Sequence, residues 1–170
     1  MTVPRSRSVH HIGLVTTVLV AGIVLSACSG EGSTHTSTYL DAINAARAHA
    51  RDCGDTHFQA APPLTWNAKL GAAAQEHSDD MARNDFMGHE GSDGSTPDER
   101  IERHGYHYRS WGENVAAGQL DTRAVVQRWL ESPGHCKNIM NAKITEMGMA
   151  LTENKGSEYR QYWTVDFGAR

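Results

Sequence analysis

No stretch of this chain concentrates lysine and arginine. Its 16 basic residues stand against 20 acidic ones, for a formal net charge of −4. Without a basic run or stripe the chain lacks the electrostatic footprint of a nucleic-acid binder. The H-E-x-x-H helix of zinc proteases, the G-x-S-x-G nucleophile elbow and the phosphate-cradling P-loop are all absent. Ser132 lies near His135 but has no identifiable orienting acid, which leaves a serine hydrolase without support. There is no internal repeat, and cysteine is scarce: Cys28, Cys53 and Cys136.

The single long apolar run explains the odd cysteine. Arg5 and Arg7 precede Ile12 to Leu25, an uncharged stretch of 14 residues. That is short for a membrane span and of the right length for the apolar region of a signal peptide. Leu25-Ser26-Ala27-Cys28 then looks like a bacterial lipobox, in which the cysteine receives lipid and becomes the new N-terminus. The expectation is a signal peptide over 1–27, a lipidated tether over 28–36 and a folded domain over 37–170. The other reading is ordinary secretion, with Cys28 a spare thiol. Acylation contributes about 0.8 kcal/mol per buried CH2, so two or three chains hold a protein firmly on a membrane. The tether Ser29–Thr36, fully extended, reaches at most about 28 Å.

Export places Cys53 and Cys136 in an oxidising compartment, where an even pair reads as a disulfide. A Cys136 nucleophile with a His135 base is the competing idea and needs a free thiol. Removal of Arg5 and Arg7 takes the formal charge from −4 to −6. Roughly 140 residues remain, which suits one domain that buries about two-thirds of its unfolded surface.

Periodicity predicts the elements. Leu40, Ile43, Ala46 and Ala50 mark a first helix that Ser37 or Thr38 can cap. Phe58–Leu64, with Pro62-Pro63, should be extended. Trp66, Leu70, Ala73, Ala74, His77 and Met81 form the buried stripe of a second helix over Trp66–Arg83. His77 on that apolar face reads as a buried, hydrogen-bonded histidine, with a metal or proton role as the alternative. A glycine-containing loop over 84–94 follows. Ser95 or Thr96 then opens a short helix with Pro97 in its first turn and Gly105 past its end. A short strand falls near Glu113–Ala117. Asp121 or Thr122 opens another helix, which Pro133-Gly134 should stop. Ile144–Leu151 and Tyr159–Phe167 read as hairpin arms around Asn154–Ser157. Helices on both sides of short strands imply an α+β fold, a three-layer α-β-α sandwich with a short, mainly antiparallel central sheet.

The chemistry-bearing residues lie between His89 and His135. His89-Glu90-Gly91-Ser92-Asp93, Gly112-Glu113-Asn114 and Ser132-Pro133-Gly134-His135-Cys136 set two imidazoles and two carboxylates beside glycine or proline. The neighbours suggest turns and strand ends, from which such groups can converge on one cleft to hold a divalent cation or move protons.

Four segments resemble the CAP superfamily (the SCP-like or pathogenesis-related-1 domain), especially its bacterial lipoproteins. They are Phe86-Met87-Gly88-His89, Gly112-Glu113-Asn114-Val115-Ala116, Ser132 to Met140, and Tyr162-Trp163-Thr164-Val165-Asp166-Phe167-Gly168. In order and spacing they cover Ser37 to Gly168. The resemblance implies a central cleft of two histidines, His89 and His135, and two acids. Glu113 is the better defined acid. Asp93 stands where the family often has glutamate, with Asp98 and Glu90 as alternatives.

Imidazole and carboxylate together suit a borderline divalent cation, zinc first. A metal-bound water beside Glu113 or His135 as catalytic groups would make a peptidase-like hydrolase. The same residues also allow a rigid polar floor with neither metal nor reaction. Asn138 and Glu146 match family positions too, although Asn138 and Asn141 are expected to satisfy turn backbone. Tyr106, Tyr108 and Trp111 are core or the lining of an apolar groove. The implied protein is a surface-anchored binding module on the extracytoplasmic side of a cell membrane, with a lipid, glycan or peptide as ligand. A non-catalytic structural or interaction protein is the remaining alternative. Nothing in the sequence points to an oligomeric state.

Overall fold

A computed structural model describes residues 1–2 and 31–170. The expected lipidation site, Cys28, and all but the first two residues of the expected signal peptide lie outside the described residues. Among these residues no helix is long and apolar enough to cross a membrane.

A four-stranded sheet, in the order β3 (Thr65–Trp66), β5 (Glu146–Glu153), β6 (Gln161–Ala169), β4 (Ser110–Ala117), forms the middle layer. β5 and β6 make the expected hairpin, and β4 pairs antiparallel with β6 along its full length. β3 adds two residues parallel to the start of β5. Trp66 therefore ends a strand, and the second helix, α2 (Ala68–Asn84), starts after Asn67, whose side chain accepts from the Lys69 amide. β1 (Arg51–Cys53) and β2 (Thr56–Phe58) form a separate small ribbon.

β6 is covered on both faces: all residues from Tyr162 to Gly168 are buried. One face packs Met147, Met149, Trp163, Val165 and Phe167 against α1 (Glu31–Arg47), α4 (Thr122–Glu131) and α5 (Pro133–Met140). The other meets α2, which carries Leu70, Ala73 and Met81, and α3 (Pro97–Arg103) beside it. Each large apolar side chain so buried contributes about 1.5–3 kcal/mol. The sandwich is thus α-β-α, as expected. At Gly148 the backbone of Leu70 and Gly71 lies where a Cβ would stand, so α2 lies directly against β5.

Other boundaries also differ from the sequence reading. α1 begins at Glu31, ahead of Ser37, and its end is tied down by Arg47. That fully buried guanidinium donates to the carbonyls of Pro62, Ile139 and Asn141 at 2.6–3.0 Å. Burial lowers its pKa to about 10. Pro133 ends α4 and also starts α5, because proline at a first helical position loses no needed N–H.

Cys53 and Cys136 form a disulfide, with Cα atoms 5.5 Å apart across 83 residues of sequence. It ties the β1–β2 ribbon to α5, one residue after His135.

Candidate functional site

The cleft forms on β4, the free edge of the sheet, where the two helical layers meet. Glu113 projects toward the α2–α3 layer, next to its strand neighbour Asp166. His89 arrives on the loop after α2, and His135 arrives on α5 from the opposite layer. The expectation of turns and strand ends is corrected here: Glu113 lies inside a strand and His135 inside a helix. The neighbouring Gly112 serves another purpose. A Cβ there would stand 3.2 Å from Asn138 Oδ1, and its absence lets α5 close on β4.

His89, Glu113 and Arg100 form a continuous chain. His89 Nδ1 lies 2.8 Å from Glu113 Oε1. Arg100 Nη2 donates to Glu113 Oε2 at 2.9 Å and to the His89 carbonyl at 2.8 Å. Nη1 of the same guanidinium donates to the Ser95 carbonyl at 2.8 Å. The Glu113 and Arg100 side chains are 1% and 2% exposed, whereas that of His89 is 53% exposed. A buried ion pair therefore holds an imidazole at the cleft surface. Its Nδ1 is committed to Glu113, which leaves Nε2 available to a ligand.

His135 faces His89 across the cleft, with ring centroids 6.4 Å apart. Burial, the charge of His89 and that of Arg128 all lower its pKa below the ordinary histidine value. Asn138 secures the layer, donating to the Glu113 carbonyl at 3.1 Å and to Asn114 Oδ1 at 2.9 Å. It acts on β4, whereas Asn141 accepts from the Lys143 amide in the expected turn. Glu146 is remote from the cleft. It accepts from Tyr106, Asn67 and Arg170, and the Arg170 hydrogen bond leads in holding its pKa near 2.

Asp93 does not join the histidines. Its Oδ1 accepts from the Ser95 amide at 2.9 Å, and its Oδ2 is 3.7 Å from Arg103. It lines a separate cavity of about 360 Å³ with Glu76, Asp79 and Asp80. The position beside Glu113 is taken instead by Asp166, 1% exposed on β6. Burial, then the charge of Glu113, pushes its pKa well above the usual carboxylate range. Sequence reasoning passed over Asp166 and Arg100. The visible signal was an acid inside the otherwise apolar run Tyr162-Trp163-Thr164-Val165-Asp166-Phe167.

His77 lies fully buried beneath this network, as the sequence reading preferred. Its Nε2 donates to the Gly88 carbonyl at 2.7 Å, and Nδ1 has no hydrogen-bond partner among the described residues. Burial lowers its pKa; Glu113 and Asp80 oppose that shift and Arg100 reinforces it.

Asp166 and His77 should give opposite pH signatures. An unfolded histidine titrates near 6.5, so acidification below about that pH adds a proton the native His77 resists, and stability is lost. Unfolded Asp titrates near 3.9, so above about that pH only the unfolded state releases the Asp166 proton, and stability falls as pH rises. Urea midpoints should show His77→Gln gaining on wild type toward acid, and Asp166→Asn gaining toward alkaline pH. Parallel curves for all three proteins would remove both assignments.

The donor set fits a divalent cation at two points. Two imidazoles border the cleft, but both Glu113 oxygens are engaged and a guanidinium sits on one of them. Among the described residues no group of three or more His, Cys, Asp or Glu is disposed to hold a metal. These residues can make an open, exchangeable site and cannot make a closed four-ligand one. Beside His135, Met87, Val115, Ala117 and Trp129 line a cavity of about 230 Å³.

Fold and cleft together define an α-β-α sandwich protein with a carboxylate-held histidine at the free sheet edge. The chain belongs to the CAP family, the Cysteine-rich secretory protein family, which it matches over residues 40–167. It is 33% identical over 109 residues to the protein YkwD of Bacillus subtilis, covering 64% of this chain and 40% of that one. It thus spans less than half the length of that curated relative. An extracellular protein containing a SCP domain from Bacillus anthracis superposes with a TM-score of 0.66 at 27% identity, over 81% of this chain and 41% of the other. An outer surface protein from Borrelia burgdorferi shares the fold, with a TM-score of 0.63 at 20% identity over 82% and 92% of the two chains.

Proposed function

We propose that this chain is an exported lipoprotein, anchored through Cys28 on the extracytoplasmic side of the membrane, whose cleft binds a divalent cation and a peptide. His89 and His135 hold the cation, zinc by donor type, and Glu113 orients His89 through Nδ1. The observation that carries the reading is the His89–Glu113–Arg100 chain facing His135. A buried ion pair spent on orienting one surface imidazole is costly in desolvation, and a ligand-holding role accounts for it. A bound cation would supply an electrophilic anchor for an anionic group. The adjoining cavity of about 230 Å³ suits a peptide side chain and falls short of the 300–1,000 Å³ of drug-sized ligands, so peptide is favoured over sterol or acyl chain. With both oxygens of Glu113 engaged, that carboxylate is poorly placed to take a proton from water, which leaves the hydrolase reading His135 as its base.

Calorimetric titration with zinc should show stoichiometric heat in wild type that vanishes in His89→Ala and in His135→Ala. Glu113→Gln should weaken binding by about 10–100-fold, the usual effect of losing a ligand-orienting group. The chain has 10 histidines, so binding that survives the double histidine substitution would place the cation elsewhere.

A further inference from the structure

The end of the domain where α1 begins carries apolar surface that the cleft does not use. Leu120 is 81% exposed and Tyr159 is 40% exposed, the former at the end of the β4–α4 connection and the latter in the β5–β6 hairpin. Together with Lys155 and Arg160 they border a hollow of about 440 Å³ whose remaining wall includes Glu153. Glu153 also borders the adjoining groove, which His35, Thr36 and Tyr39 of α1 line. Tyr39 packs edge-on against Trp163, whose Nε1 donates to the Gln119 carbonyl at 2.9 Å. The first turns of α1 and both loops thus share one end of the sandwich. Arg47, at the other end of the helix, is fixed to Ile139 and Asn141.

We propose that this end, with Leu120 and Tyr159 at its tip, is a membrane-docking face that rests on the bilayer holding the chain's N-terminus. The proposal rests on the anchored reading above. Cys28 and the apolar run 12–25 precede α1, which starts at Glu31, so the attachment reaches the domain at the end carrying Leu120. With so few residues between anchor and helix, the face nearest that entry meets the lipid. Leucine gains by leaving water, and a tyrosine ring suits the headgroup region, where its hydroxyl stays wet. Lys155 and Arg160 are offset by Glu153 and Glu158, so apolar insertion, and not attraction to anionic lipid, sets the contact.

The test uses the full chain, processed and reconstituted on phosphatidylcholine–phosphatidylglycerol vesicles. Leu120→Cys, Tyr159→Cys and, at the opposite end, Lys143→Cys each carry an environment-sensitive fluorophore, with wild type as the labelling control. A nitroxide-bearing lipid should quench the first two several-fold more than the third, equally at low and high salt. Vesicle-bound protein with equal quenching at all three sites overturns the docking face alone. Loss of the difference at high salt overturns apolar insertion. Protein that does not float with the vesicles overturns the anchor and the face together.

Discussion

Arg100→Met should be the most damaging single change near the cleft. The guanidinium is 2% exposed and is the cation placed against Glu113. Its loss leaves a carboxylate buried at 1% exposure without a counter-charge, and strands the carbonyls of His89 and Ser95. Breaking a buried pair from one side typically costs about 3–5 kcal/mol, a large share of a domain's stability. The loss should shrink in Arg100→Met/Glu113→Gln, which removes the uncompensated charge. Urea denaturation followed by circular dichroism compares the three proteins. An Arg100→Met protein as stable as wild type at neutral pH would show that the pair does not organise the cleft.

The disulfide is the second large term. Replacing both Cys53 and Cys136 by alanine should lower stability by about 2–5 kcal/mol, since the bridge closes a long loop in the unfolded chain. Both sulfur-bearing residues are at most 1% exposed, so the native protein should resist thiol reductants until denaturant opens it. Reduction kinetics should then follow global unfolding. The loss also bears on the cleft. His135 precedes Cys136 on α5, and the bridge holds that turn against β1, so the double variant should bind zinc more weakly. A double variant with an unchanged urea midpoint, or rapid reduction of the folded protein, would contradict this account.

Much of the fold was readable from local pattern. The α2 stripe Leu70, Ala73, Ala74, His77 and Met81 is buried as its spacing predicts, and the Thr96–Pro97 start and the hairpin are where turn chemistry places them. Trp66 was drawn into the helix because its pairing is with β5, about eighty residues away and invisible to periodicity. Pro133 reads as a stop in any local view, and only the packing of Cys136, Ile139 and Met140 shows that a helix resumes there. The cleft was legible in part. His89, Glu113 and His135 converge, whereas Asp93, which the family resemblance implied, is held by Ser95 and faces another cavity. In the sequence Arg100 is one charge among Asp98, Glu99, Glu102 and Arg103 of a short helix. Its inward direction depends on β4 and the His89 loop meeting it, which is a tertiary property.

Histidine tautomers read the cleft most directly. In protein carrying ¹⁵N-histidine, long-range ¹H–¹⁵N correlation should show His89 protonated at Nδ1, with Nε2 bare and shifting on zinc addition in step with a nitrogen of His135. Glu113→Gln should weaken the preference for that tautomer. A His89 protonated at Nε2, or zinc-induced shifts confined to other histidines, would contradict a site built from His89, Glu113 and His135.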